Sequence, residues 1–160
     1  MITVALTFAE LRRCYDVGTA RFLSARAQNF PMDKGRKDFG IEGDCNGACG
    51  EFVTSKVYGI EWNPVTHTTD TLRGDVGLLQ VKTVLGENDR LLIRPQDPED
   101  MIYILCRMPS FDTVQLKGWC WGHWAKQPCH WWKGITKGCY AIESELLKPI
   151  ESLKAQPMPV

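Results

Sequence analysis

The stretch Gly74-Asp75-Val76-Gly77-Leu78-Leu79-Gln80-Val81-Lys82-Thr83 places a carboxylate, an amide and an ammonium close together in the chain. Leu79 to Thr83 has the composition of a strand, in which side chains alternate. Gln80 and Lys82 then share one face, while Leu79 and Val81 point to the core. Asp75 comes just before, where the flanking glycines permit a tight bend that brings its carboxylate to the face of Gln80 and Lys82. Two oxygen ligands and one cation converging on one spot is the set that phosphodiester hydrolysis needs. Mg²⁺ wants hard oxygen ligands and keeps several waters, so a carboxylate (Asp75), an amide (Gln80) or a main-chain oxygen (Val81) and a substrate phosphate suffice. The ion acidifies a bound water and offsets charge building on phosphorus. Lys82 can orient that water or stabilise the transition state.

Helices must carry the rest. Thr7-Phe8-Ala9-Glu10 is a capping box, with Leu6 and Leu11 placed as a hydrophobic staple, so a helix is expected from Phe8 to about Ala27. It carries Arg12, Arg13, Arg21 and Arg26, either a solvated face or a backbone-phosphate contact, and the loop Asn29–Gly35 breaks it. A second helix is expected between Asp44, a candidate cap, and Tyr58, with Gly59 in the left-handed position beyond its end. Glu51 lies on it, the natural extra carboxylate to hold a metal-bound water or a second ion. After Asn63-Pro64 and the polar run Thr66–Asp70, strands are expected at Leu78–Val84, Leu91–Arg94, Met101–Arg107 and Thr113–Trp121. A short helical piece follows at Ser144–Leu147, and the Pro-containing end, 150–160, is expected to fray.

A chain of 160 residues, 44% hydrophobic, can bury one core, so a single domain is expected over 1–160, with 1–40 forming an N-terminal helix and loop. The formal charge of zero hides a pattern. Residues 1–37 hold seven basic and three acidic groups, 38–100 hold five and twelve, and 101–160 hold seven and four. An acidic centre between basic wings suits a metal site within a polyanion-binding surface, with Arg12, Arg13, Lys126 and Lys133 as phosphate contacts; ordinary surface charge gives the same count. No stretch is long enough to span a bilayer, and Met1–Leu6 lacks the basic lead of a secretion signal. Seven cysteines, an odd number, point to free thiols and a reduced, cytoplasmic protein.

Asp75, four intervening residues and Gln80-Val81-Lys82 resemble the signature of the PD-(D/E)XK nuclease superfamily. Gly47-Ala48-Cys49-Gly50-Glu51 resembles the helix that supplies its upstream Glu. The resemblance runs from Asn46 to Trp132, and within it Leu91–Pro95 and Gly118-Trp119 through Trp131-Trp132 resemble small phage-borne members. It implies an α/β fold with a central mixed sheet flanked by helices, a restriction-endonuclease-like core, with the site at one edge. It also implies dependence on Mg²⁺ (with Mn²⁺ substituting), and a nucleic-acid substrate, DNA before RNA, in the cytoplasm of a bacterial host if phage-borne. Gly74 stands where the family has proline. Gln80 stands where Asp or Glu is usual, which removes a negative charge from the site. A nucleic-acid-binding protein that keeps the fold with little cleavage is the alternative, and an interaction protein with no nucleic-acid role a third.

Two other clusters compete. Cys120, His123, Cys129, His130 and Cys139 could bind zinc, but adjacent Cys129 and His130 point apart and the spacing does not form paired knuckles. Trp119, Trp121, Trp124, Trp131 and Trp132, interleaved with Lys117, Lys126, Lys133 and Lys137, form either a stacking, phosphate-binding edge or part of the core.

Overall fold

The computed structural model describes residues 1–27, 40–64, 74–86, 90–135 and 137–155; the loop Asn29–Gly35, the run Thr66–Asp70 with His67, and the last five residues lie outside them. Helix α1 is Phe8–Ala27. Its capping box is formed reciprocally: the Thr7 N–H donates to Glu10 Oε2 at 2.8 Å, and the Glu10 N–H donates to Thr7 Oγ1 at 3.3 Å. Leu6 is buried and Leu11 packs on the same core, as a staple requires.

Helix α2 is Gly40–Tyr58, so it begins four residues before the cap expected at Asp44. Two glycines in the first turn are poor helix formers, but packing of the helix against its neighbours outweighs that local preference. Its end is as expected. Gly59 takes φ 67° and the Ile60 N–H donates to the Ser55 carbonyl at 3.0 Å, the six-to-one bond of a left-handed C-terminal cap.

The strands are β1 (Ile2–Ala5), β2 (Leu79–Val84), β3 (Arg90–Ile93), β4 (Ile102–Ser110), β5 (Thr113–Trp121), β6 (Trp131–Trp132), β7 (Cys139–Glu143) and β8 (Lys148–Pro149), with a short helix α3 (Gly122–Ala125) after β5. The main sheet runs β1-β5-β4-β2, with β8 also pairing with β5. It is mixed: β2 lies parallel to β4, while β1, β4 and β8 are antiparallel to β5. A second sheet, β3-β7-β6, is antiparallel throughout. β1 has no counterpart among the strands expected from sequence. Four residues show too little alternation to announce themselves; pairing of Ile2–Ala5 with Thr113–Leu116 makes the strand.

Both faces of the main sheet are covered, which is why Ile102–Cys106 of β4 is buried without alternation. One face packs on α1 and α2 through Leu79, Val81, Ile102, Ile104 and Cys106 against Ala48, Cys49 and Val53. On the other, Tyr103, Leu105 and Cys120 meet Leu91, Ile93 and Ile142 of the second sheet. The expected mixed sheet with helices is present, but both long helices lie on one side. At the chain's end, Ser144–Leu146 and Ile150–Ala155 form 3-10 turns, and Ile150 and Leu153 are fully buried. The fraying expected from residue 150 onward therefore does not hold for 150–153: two apolar side chains reach the first core, and the Trp119 indole N–H donates to Ser152 Oγ at 3.0 Å. Among the described residues no helix is long and apolar enough to cross a membrane. All seven cysteines are free thiols.

Candidate active site

A tight turn delivers the carboxylate. Val76 and Leu79 exchange two backbone hydrogen bonds, at 3.1 and 2.9 Å, with Gly77 at φ 61° between them. The Gly74 N–H donates to the Gly77 carbonyl at 3.0 Å, and a Cβ on Gly74 would lie 2.6 Å from the Leu79 carbonyl oxygen. Position 74 thus needs both an N–H and the absence of a side chain. Proline offers neither, which accounts for the glycine at this position.

Asp75 then reaches the edge of the sheet at β2, the last strand among the described residues: its Oδ2 accepts the Val81 N–H at 2.7 Å. In a strand the N–H and C=O of one residue point the same way, so the Val81 carbonyl faces the same edge as Asp75. The second carboxylate oxygen of Asp75 has no hydrogen-bond partner among the described residues. Burial, and then the nearby Glu51 carboxylate, push the Asp75 carboxyl up to about 6, against the pull of the Val81 N–H, Lys82 and Arg21.

Gln80 and Lys82 alternate with buried Leu79 and Val81, as the sequence pattern requires. They lie on the face turned to the second sheet, in register with Tyr103 and Leu105. The Gln80 amide donates to Met101 Sδ at 3.3 Å. Lys82 Nζ stands 3.7 Å from Asp97 Oδ2, and that same oxygen accepts the Arg94 N–H at 3.1 Å. Asp97 sits in the loop between β3 and β4, a position with no sequence signal beyond its turn-forming neighbours Pro95 and Pro98.

Glu51 is only 5% exposed. Arg21 of α1 grips it with both terminal nitrogens, Nη1 to Oε1 at 2.6 Å and Nη2 to Oε2 at 2.8 Å, and the Trp62 indole N–H donates to Oε2 at 3.3 Å. For Arg21 itself burial pulls the guanidinium down, while the Glu51 hydrogen bonds and then the Glu51 and Asp75 charges more than restore it, with a net rise. Arg21, read from sequence as a solvated or phosphate-facing cation, is instead turned inward onto Glu51, and neither its role nor that of Trp62 is visible in the sequence, because each meets Glu51 only through tertiary packing.

The four basic groups expected to touch nucleic acid have different surroundings. Arg12 is exposed. Arg13, also exposed, lies over the Trp62 ring at 5.2 Å and the Phe52 ring at 5.9 Å, a cation–π stack next to Glu51. Lys133 is exposed just beyond β6. Lys126 departs from the expectation: its side chain is 7% exposed and its ammonium donates to the carbonyls of Pro95 and Asp97, so it pins the loop that carries Asp97. The tryptophans likewise separate. Trp119 is fully buried, whereas Trp131 packs edge-on against Tyr140 at 5.0 Å and Trp132 lies under Arg90 at 5.6 Å, with Trp131 40% exposed.

Comparison with family models, with curated proteins and with solved structures finds no match. The site therefore rests on its own chemistry. Among the described residues no three His, Cys, Asp or Glu side chains gather as a metal cage, and the suggested zinc ligands Cys120 and Cys139 are buried, with burial pushing the Cys120 thiol up to about 12. The oxygens offered at the sheet edge are those of the Asp75 carboxylate and the Val81 carbonyl, with Gln80 on the adjoining strand position, a sparse set of the kind a hard ion that keeps several waters would need.

Proposed function

We propose that this chain is a Mg²⁺-dependent deoxyribonuclease of the PD-(D/E)XK type, built on a restriction-endonuclease-like core and hydrolysing DNA phosphodiesters. One observation carries the reading: the Asp75 carboxylate is bonded to the Val81 N–H of an edge strand, beside the outward Val81 carbonyl and the pair Gln80 and Lys82. Asp75, Val81 and Gln80 would hold a Mg²⁺ or Mn²⁺ ion, which when bound supplies Lewis-acid neutralisation of phosphate charge and a more acidic water. Lys82, kept near Asp97, orients the attacking water and offsets the charge that grows on the non-bridging oxygens. Asp97 in turn is held by the Arg94 N–H and by Lys126 through the loop backbone, so the ammonium is presented by a fixed support. Glu51 supports the centre from behind, through Arg21. Of the four basic groups expected to touch nucleic acid, Arg12, Arg13 and Lys133 are exposed and available to the DNA backbone.

The neutral amide at Gln80 and the closed Glu51–Arg21 pair favour a second reading, in which the fold binds nucleic acid and cleaves little. A panel of duplex, branched and single-stranded DNAs and of RNA, with Mg²⁺, Mn²⁺ or chelator, separates the two. Lys82→Ala is expected to lower metal-dependent cleavage by about 100-fold or more while changing DNA affinity by no more than about threefold, because one phosphate contact among several contributes little to binding. Tight binding with no cleavage under any metal selects the binding protein, and cleavage unaffected by Lys82→Ala sinks the mechanism.

A further inference from the structure

Glu51 is the group that the sequence offers as a second metal ligand, yet its oxygens already have partners. Both accept hydrogen bonds from Arg21, and Oε2 accepts a third from Trp62. The pair is well enclosed, with side-chain exposures of 23% for Arg21 and 7% for Glu51, and it ties α1 to α2. A planar guanidinium fork matches a carboxylate in both hydrogen bonds at once, and in a mostly buried place such a pair is far stronger than a surface ion pair. A divalent ion approaching Glu51 has to displace that fork and leave a buried cation behind, which is costly.

We propose that Arg21 is a built-in counter-cation of this centre: it closes Glu51 to divalent cations, so that a single ion binds at Asp75 and Glu51 serves as a positioning residue through Arg21. This rests on the cation site proposed above, and it specifies that site's stoichiometry. The positive charge that a second ion would bring to Glu51 is supplied by the fold, from a helix that the sequence motif does not include.

The test counts bound Mn²⁺ by calorimetry and by electron paramagnetic resonance, without any cleavage assay. Wild type is expected to take one ion. Arg21→Met should bind a second, or bind the first at least about tenfold more tightly, because it leaves two carboxylates without their cation. The neutral pair Arg21→Met with Glu51→Gln should return to one ion within about threefold of the wild-type affinity, since it removes both charges together. Arg26→Met, an equal loss of charge at the exposed end of α1, should show no gain. Two ions in wild type, no gain in Arg21→Met, or a gain that survives the added Glu51→Gln each overturn the proposal. Should wild type take up no Mn²⁺, the cation site at Asp75 falls; the role of Arg21 then stands only if Arg21→Met acquires an ion. If Arg21→Met fails to fold, judged by its circular dichroism and melting curve, the neutral pair decides: binding weakened by about tenfold or more would make Glu51 a ligand.

Discussion

At the scale of single residues the site is an exercise in charge accounting. Asp75 and Glu51 bring two negative charges, and Arg21 and Lys82 bring two positive ones, within a few side chains of one another. Gln80 adds no charge to that set, to which Asp97 beside Lys82 also belongs, where an acid would add one and favour a cation. Gln80→Glu is therefore expected to tighten Mn²⁺ binding by about 1 kcal/mol or more, the scale of a charge-assisted contact. Calorimetric titration checks it, and an unchanged affinity would mean that position 80 does not touch the ion. That Gln80 and Lys82 share one face was legible because strand alternation is a local rule, and Leu79 and Val81 obey it. Arg21 lies thirty residues from Glu51, and Asp97 fifteen from Lys82, so no local rule connects them.

At the scale of elements, α1 is set by its cap and by one close crossing. The Glu10 carboxyl is held below its usual value by the Lys56 hydrogen bond first and the Thr7 N–H second. A depressed carboxyl contributes stability that is present above the unfolded pKa, 4.5, and is lost as pH falls through the lower folded value. Thr7→Ala is expected to cost about 1 kcal/mol near neutral pH, the ordinary value of an N-cap. Glu10→Gln should cost stability at pH 7, and that cost should shrink as the buffer is taken below pH 4.5; urea melts at several pH values measure both. The crossing depends on Gly18, where a Cβ would lie 2.4 Å from the Cys45 Cα and 2.5 Å from its nitrogen. Backbone cannot turn aside as a side chain can. Gly18→Ala should push α1 off α2, destabilising the fold by about 1–3 kcal/mol, and with it the Arg21–Glu51 pair one turn along. A melting temperature equal to wild type would show that the helices have room to spare.

At the scale of the whole molecule, two layers on opposite faces of one mixed sheet divide the work. The helical layer supplies Glu51 and Arg21, and the second sheet with its loops supplies the support of Lys82. The carboxy-terminal turn closes the first core, so it belongs to the folded unit. Leu153→Ala is expected to lower stability by about 2–4 kcal/mol, the range for emptying a buried leucine site. Chemical denaturation reads this directly, and a loss below half a kcal/mol would return the turn to the status of a loose tail.

By itself the sequence determined what nearest neighbours along the chain control. The capping box placed the start of α1, Gly59 placed the end of α2, and period-two alternation placed Gln80 and Lys82 on one face, because each depends on backbone geometry within a few residues. It also showed the glycines around Asp75, though not that Gly74 must donate an N–H in a turn too tight for a side chain. Only the tertiary structure decided that Ile2–Ala5 is a strand, that Ile150 and Leu153 are core, that Lys126 pins a loop, and that Glu51 is gripped by Arg21. The reason is common to all four. Each depends on a partner distant in the chain, and a carboxylate on a helix has the same sequence whether it faces water, an ion or a guanidinium.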